Sequence, residues 1–93
     1  MIPSIGRIVH IRLSAGCAKN INMERSNLAS HNKGNSVKEG DIFPMIITKL
    51  WTDDPNEFSA VNGQIFLDGN DIYHATSVTQ GDSLGQWFEP TRI

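Results

Sequence analysis

Residues Ile5-Gly6-Arg7-Ile8-Val9-His10-Ile11-Arg12-Leu13 alternate in polarity, with Val9, Ile11 and Leu13 on one face and His10 and Arg12 on the other. That pattern predicts a half-buried strand. Ser14 follows as a helix N-cap, its hydroxyl placed to accept from an orphan first-turn amide. Cys17, Ala18, Ile21 and Leu28 then recur at roughly helical spacing. Gly16, Asn20, Asn22 and Asn27 are poor helix formers, so the helix is expected to be short and to end before Asn27. Residues 26–35, made of Ser, Asn, His, Lys and Gly with little else, read as a surface loop.

From Ile42 to Trp51 the chain is apolar on both parities, with Phe43, Met45 and Ile47 against Ile46 and Leu50. This predicts a central strand covered on one side by the core and on the other by the helix. Pro44 cannot donate to a ladder and belongs at the strand's start or at a bulge. Thr52-Asp53-Asp54-Pro55-Asn56 is turn chemistry. The strongest signal is a hairpin over 60–79, with Gly69-Asn70 supplying the turn. That centring pairs Leu67 with Ile72, Ile65 with His74, Gly63 with Thr76 and Val61 with Val78 on a core face. It leaves Asp68–Asp71, Phe66–Tyr73, Gln64–Ala75 and Asn62–Ser77 on a polar, aromatic outer face.

A second loop, 80–85, leads to Gln86-Trp87-Phe88-Glu89-Pro90. Two aromatics there would fray unless docked on the body or on a neighbouring subunit, so a homo-oligomer is expected. Together the elements predict an α+β fold. It is a small, strongly bent antiparallel sheet or half-barrel of about four strands, carrying one short helix. At 93 residues a single domain spans 1–93.

Composition narrows the function classes. No run of 18 apolar residues exists, so no membrane span is expected. One cysteine, Cys17, leaves no intrachain disulfide framework and places the chain in a reducing compartment. Residues 1–40 hold six basic residues against Glu24 and Glu39, a net +4, while residues 41–93 hold two against eight acids, a net −6. Such halves neutralise each other on packing, and a pI of about 5.8 argues against general DNA binding.

Several motifs dissolve on inspection. Gly81-Asp82-Ser83-Leu84 spells the serine signature of a lipase and esterase family, but only ten residues follow Ser83 and none is His. Leu13-Ser14-Ala15-Gly16-Cys17 has the letters of a lipoprotein cleavage box, yet Arg7, His10 and Arg12 interrupt the apolar core a signal peptide needs. Cys17 is expected to be a small buried helix residue. Asp68-Gly69-Asn70-Asp71 puts Ile72 where a calcium loop needs an oxygen ligand. His10, His31 and His74 fit no metal spacing. No catalytic residue, metal or cofactor is expected.

What remains is a cluster of aromatic faces beside uncharged polar groups, a combination suited to a base or a sugar. The candidate ligand-binding set is Arg7, Arg12, Trp51, Asn62, Gln64, Phe66, Tyr73, Thr76, Ser77, Trp87 and Arg92. Tyr73, Phe66 or Trp87 would stack on a base while Arg7, Arg12 or Arg92 met a phosphate. Asp68 and Asp71 would repel that phosphate toward the Asn62–Ser77 end.

Leu67-Asp68-Gly69-Asn70-Asp71, Ala75-Thr76-Ser77-Val78, and Gly85-Gln86-Trp87 with Pro90 resemble a family of small, functionally uncharacterised proteins encoded by tailed phages and prophages. The opening Met1-Ile2-Pro3, Ile5-Gly6-Arg7-Ile8-Val9-His10 and Gly40-Asp41-Ile42-Phe43-Pro44-Met45-Ile46 are similar to that family too. The likeness lapses between about Cys17 and Val37. Members often carry a tryptophan in the last strand, where this chain has His74. The resemblance implies a bacterial host cytoplasm as the setting. The expected function is a non-enzymatic accessory protein that binds and neutralises a host factor, either a host protein or a nucleotide-like defence signal held as a sponge. The alternatives are a structural or morphogenetic phage component and a small hydrolase built on His74 with Ser77 or Ser83.

Overall fold

A computed structural model describes residues 1–26, 35–69 and 71–90. In chain order they form β1 (Ile8–Arg12), α1 (Ala15–Ser26), β2 (Ile42–Leu50), β3 (Val61–Phe66), β4 (Ile72–Val78) and β5 (Trp87–Phe88). The strands make one open antiparallel sheet in the order β4-β3-β2-β1-β5. This is the expected α+β architecture with one strand more than the pattern predicted. No helix among the described residues is long and apolar enough to cross a membrane.

β1 follows its alternation: Val9, Ile11 and Leu13 are buried. Ser14 then caps α1, its Oγ accepting from the Cys17 amide at 3.1 Å. The helix is described over Ala15–Ser26, and Asn27, before which the pattern predicts its end, lies outside the described residues. Ala18 and Ile21 join the sheet's inner face in one core with Met45, Ile47, Val61, Ile65 and Trp87. Leu28, most of the 26–35 loop and Asn70 of the predicted turn lie outside the described residues.

The structure departs from the pattern in two places. β2 is central, but only one of its faces is covered. Met45 and Ile47 are buried while Ile42 is 45% exposed, because α1 packs on the same side as the core. Pro44 sits opposite His10, one position past Met45 where pairing with β3 stops, so its missing donor removes no ladder bond.

The hairpin register is also shifted. Gly63 pairs with Ala75, Gln64 with His74, Ile65 with Tyr73 and Phe66 with Ile72, each one residue from the predicted partner. Val61 still meets Val78 as predicted, because a bulge near Asn62 absorbs the extra residue. A one-residue slip reverses every side chain between turn and bulge. Hence Ala75 is buried and Tyr73 half-buried on the inner face, while Ile72, His74 and Thr76 are exposed outside. Ser77 takes the strain at φ 53°, a left-handed conformation costly for an L-residue with a side chain.

Of the two placements expected for the C-terminal aromatics, docking on the body is the one adopted. Trp87 is fully buried in its own chain, opposite Ile11 in the β1–β5 ladder, so it presents nothing to a second copy. Phe88 packs edge-on to His10 at 5.7 Å. Trp87 also bridges to the far end of the sheet. Its amide donates to the Thr79 carbonyl at 3.1 Å, and its carbonyl accepts from the Gly81 amide at 2.9 Å. The edges of the curled sheet therefore meet at 79–81 and stand apart along β4.

Candidate functional site

The gap between those edges is a cleft of about 260 Å3. One wall is β4, from Tyr73 to Thr76 with Val78. The other is the β1–α1 junction, with Leu13, Ser14, Cys17 and Asn20, and Gly85 adjoining. Capping by Ser14 sets the helix start. From there Cys17 and Asn20 line the cleft, while Ala18 and Ile21 turn into the core. Asn20 Nδ2 donates to the Tyr73 hydroxyl at 3.4 Å, spanning the two walls.

The lining mixes the apolar Leu13, Ala75 and Val78 with hydroxyl, amide, imidazole, thiol and guanidinium groups. Burial pushes the Cys17 thiol above its ordinary pKa, so at neutral pH it remains the protonated, weakly nucleophilic form. Arg12 adjoins the cleft, but its guanidinium carbon lies 5.2 Å over the Phe88 ring centroid and its Nε is buried without a partner.

The predicted site set is dispersed. Tyr73, Thr76 and Arg12 reach the cleft. Gln64 and Phe66 are on the outer sheet face, where the Gln64 amide nitrogen lies 3.3 Å from His74 Nδ1. Arg7 is exposed and paired with Glu89 at 3.2 Å. Trp87 is in the core and offers no stacking face. Arg92 lies outside the described residues. Trp51, Asn62 and Ser77 are drawn together for a structural purpose. Asn62 Oδ1, buried at the bulge, accepts from the Ser77 amide at 3.0 Å and the Trp51 indole at 2.9 Å. That leaves Asn62 no free acceptor for a ligand. Of the proposed hydrolase groups, His74 faces Gln64, the Ser77 amide is held by Asn62, and the Ser83 amide donates to Gln86 Oε1 at 3.1 Å.

Arg25 is the polar residue that the pattern missed. It is 4% exposed at the end of α1 and donates to Asp71 through Nε at 2.7 Å and Nη2 at 3.0 Å. Nη2 also reaches Asp68 at 3.4 Å, and Nη1 donates to the Asn35 carbonyl. The two acids of the hairpin tip therefore share one counter-charge, Asp71 closely and Asp68 at the edge of contact, which leaves the group one negative charge in excess. The pairing holds the Asp71 carboxyl below the usual carboxylate range and raises the guanidinium still further. A signal was present: Arg25 falls on the stripe of Ala18 and Ile21, at the i, i+3, i+7 spacing of a buried helix face.

Among the described residues no group of three or more His, Cys, Asp or Glu side chains could hold a metal ion. Neither protein-family models, curated proteins nor solved structures contain a match to this chain.

Proposed function

We propose that this chain is a non-enzymatic phage accessory protein that binds and neutralises a host factor in the bacterial cytoplasm, using the cleft between β4 and α1. The observation that carries this reading is the cleft itself, where apolar residues stand beside hydroxyl, amide and thiol groups and Asn20 bonds Tyr73 across the gap. A nucleotide-like signal is the small-molecule form of this proposal, with Tyr73 and Thr76 as contacts. A host protein is the macromolecular form. Arg12, stacked on Phe88, is the group of the lining suited to a phosphate.

The test is capture from bacterial extract, with retained molecules identified by mass spectrometry for the native chain and for Asn20→Trp. Asn20 is exposed, so the bulky replacement narrows the cleft without entering the core. Species held by the native chain and lost from a normally folded Asn20→Trp support the proposal; equal retention by both refutes it.

One observation favours a second reading, a structural component that assembles through its sheet. Ile8, Ile42, Phe66 and Ile72 are 55%, 45%, 37% and 53% exposed on the outer face. Sedimentation of Ile42→Lys/Ile72→Lys beside the native chain tests it. A native oligomer that the double variant converts to monomer supports assembly through this face; a native monomer at micromolar concentration excludes it.

A further inference from the structure

The ladder geometry says which backbone groups of β4 have partners. The Ile47 amide donates to the Arg7 carbonyl at 3.0 Å, so Ile47 and Met45 direct their main-chain groups at β1. Ile46 must then point at β3 and bond Gln64, which turns Gly63 and Ile65 toward β4. Their partners Ala75 and Tyr73 spend their N–H and C=O on that ladder. The alternate residues, Ile72, His74 and Thr76, direct theirs away from the sheet. Among the described residues no other strand pairs with β4. His74 and Thr76 both line the cleft.

Farther along, this edge is already in use. Past the bulge the Thr79 carbonyl and the Gly81 amide pair with Trp87. The edge that β5 occupies at 79–81 thus continues along 74–76, with no partner among the described residues. A row of unpaired amides and carbonyls is satisfied most completely by another extended backbone. Arg12 is the permanently charged side chain of the lining, and the outward backbone groups of His74 and Thr76 alternate donor with acceptor, which an extended chain matches along its length and an anion does not. At a strand spacing of about 4.8 Å, a layer depth of about 10 Å and a rise of about 3.3 Å, one strand residue fills roughly 160 Å3. A cleft of about 260 Å3 therefore takes about two residues of extended chain, enough to meet His74 and Thr76.

We infer that β4 is an acceptor edge: an extended, uncharged segment of a partner protein adds as a strand along His74–Thr76, with an apolar side chain entering beside Leu13 and Cys17. This rests on the cleft being the binding site and names the class of its occupant.

The test begins with selection from a displayed library of random octapeptides against the full chain. The strongest binder is then synthesised with and without N-methyl groups on alternate amides. N-methylation removes backbone donors and leaves the side chains in place. The expected results are enrichment of uncharged, β-prone octapeptides and at least about tenfold weaker binding by one N-methylated series. The His74 and Thr76 amides should exchange with solvent about tenfold more slowly in the complex. His74→Pro, which removes an outward donor and no ladder bond, should weaken binding with the sheet intact.

Absence of enrichment, equal binding by the N-methylated peptides, or unchanged exchange at His74 and Thr76 overturns the inference. If Asn20→Trp abolishes capture of a host factor but no octapeptide binds, the cleft stands as the site and strand addition fails. If Asn20→Trp leaves capture unchanged, both fail.

Discussion

Arg25 and Asp71, 46 positions apart, form a two-pronged ion pair that ties the last turn of α1 to the first residue before β4. The arginine side chain is 5% exposed and the aspartate 18%. Water screens this pair little, and each charge depends on the other to offset its desolvation. The same arginine sits in the last helical turn, where a cation also complements the helix dipole.

Removing one partner should therefore cost far more than a surface pair would. Asp71→Asn and Arg25→Met are each expected to destabilise the fold by about 3–5 kcal/mol, with the double variant less damaging than the sum. Chemical denaturation of the native chain, both single variants and the double variant measures the coupling. Additive losses would mean that the pair contributes nothing as a pair.

The pair also sets an acid limit. The Asp71 carboxyl titrates below its unfolded value of about 3.9, so the folded state binds fewer protons there. Its contribution is present in full above that unfolded value and fades as pH falls through the lower, folded one. Denaturation midpoints between about pH 5 and 2 should drop steeply for the native chain and less steeply for Asp71→Asn.

Asn62 holds the bulge that sets the β4 register. Asn62→Ala would strand the Ser77 amide and the Trp51 indole N–H, and a loss of about 1–3 kcal/mol is expected. Ser77→Gly should stay within about 1 kcal/mol of the native chain, since glycine adopts a positive φ freely but adds unfolded-state entropy. Ser77→Val should lose more than Ser77→Gly, because a β-branched side chain is poorly tolerated there. Thermal melts of the three variants give the order.

Gly63 is required by a close approach rather than by its backbone angles. A Cβ there would lie 2.5 Å from Met45 Cγ and 2.9 Å from the Ile46 carbonyl oxygen. Gly63→Ala should destabilise by about 1–3 kcal/mol through overpacking. Gly63→Ala/Met45→Ala should recover the side-chain part of that strain but not the backbone contact, which a double-mutant cycle would show.

The local elements were legible because their causes are local. The alternation of Val9, Ile11 and Leu13 specifies a strand with one buried face, and Ser14 followed by Cys17 and Ala18 specifies a capped helix start. The hairpin was legible as a hairpin. Its register was not, since a period of two fits either parity equally well until a bulge is placed. The bulge depends on Asn62 reaching both Trp51 and Ser77, residues 11 and 15 positions away, which no local pattern encodes. For the same reason the predicted stacking set came apart: Tyr73 turned inward, and Trp87 found its cover on β1.

The amino-acid sequence alone determined the strands, the helix and the α+β class, because alternation, capping and turn propensity act over a few residues. Only the tertiary structure decided which face each β4 side chain took, that Asp71 is paired with Arg25, and that the sheet's edges stay apart to leave a cleft. Those outcomes depend on contacts between residues far apart in the chain. Such contacts form only when the whole core packs, and their geometry is set by what the rest of the sheet leaves unpaired.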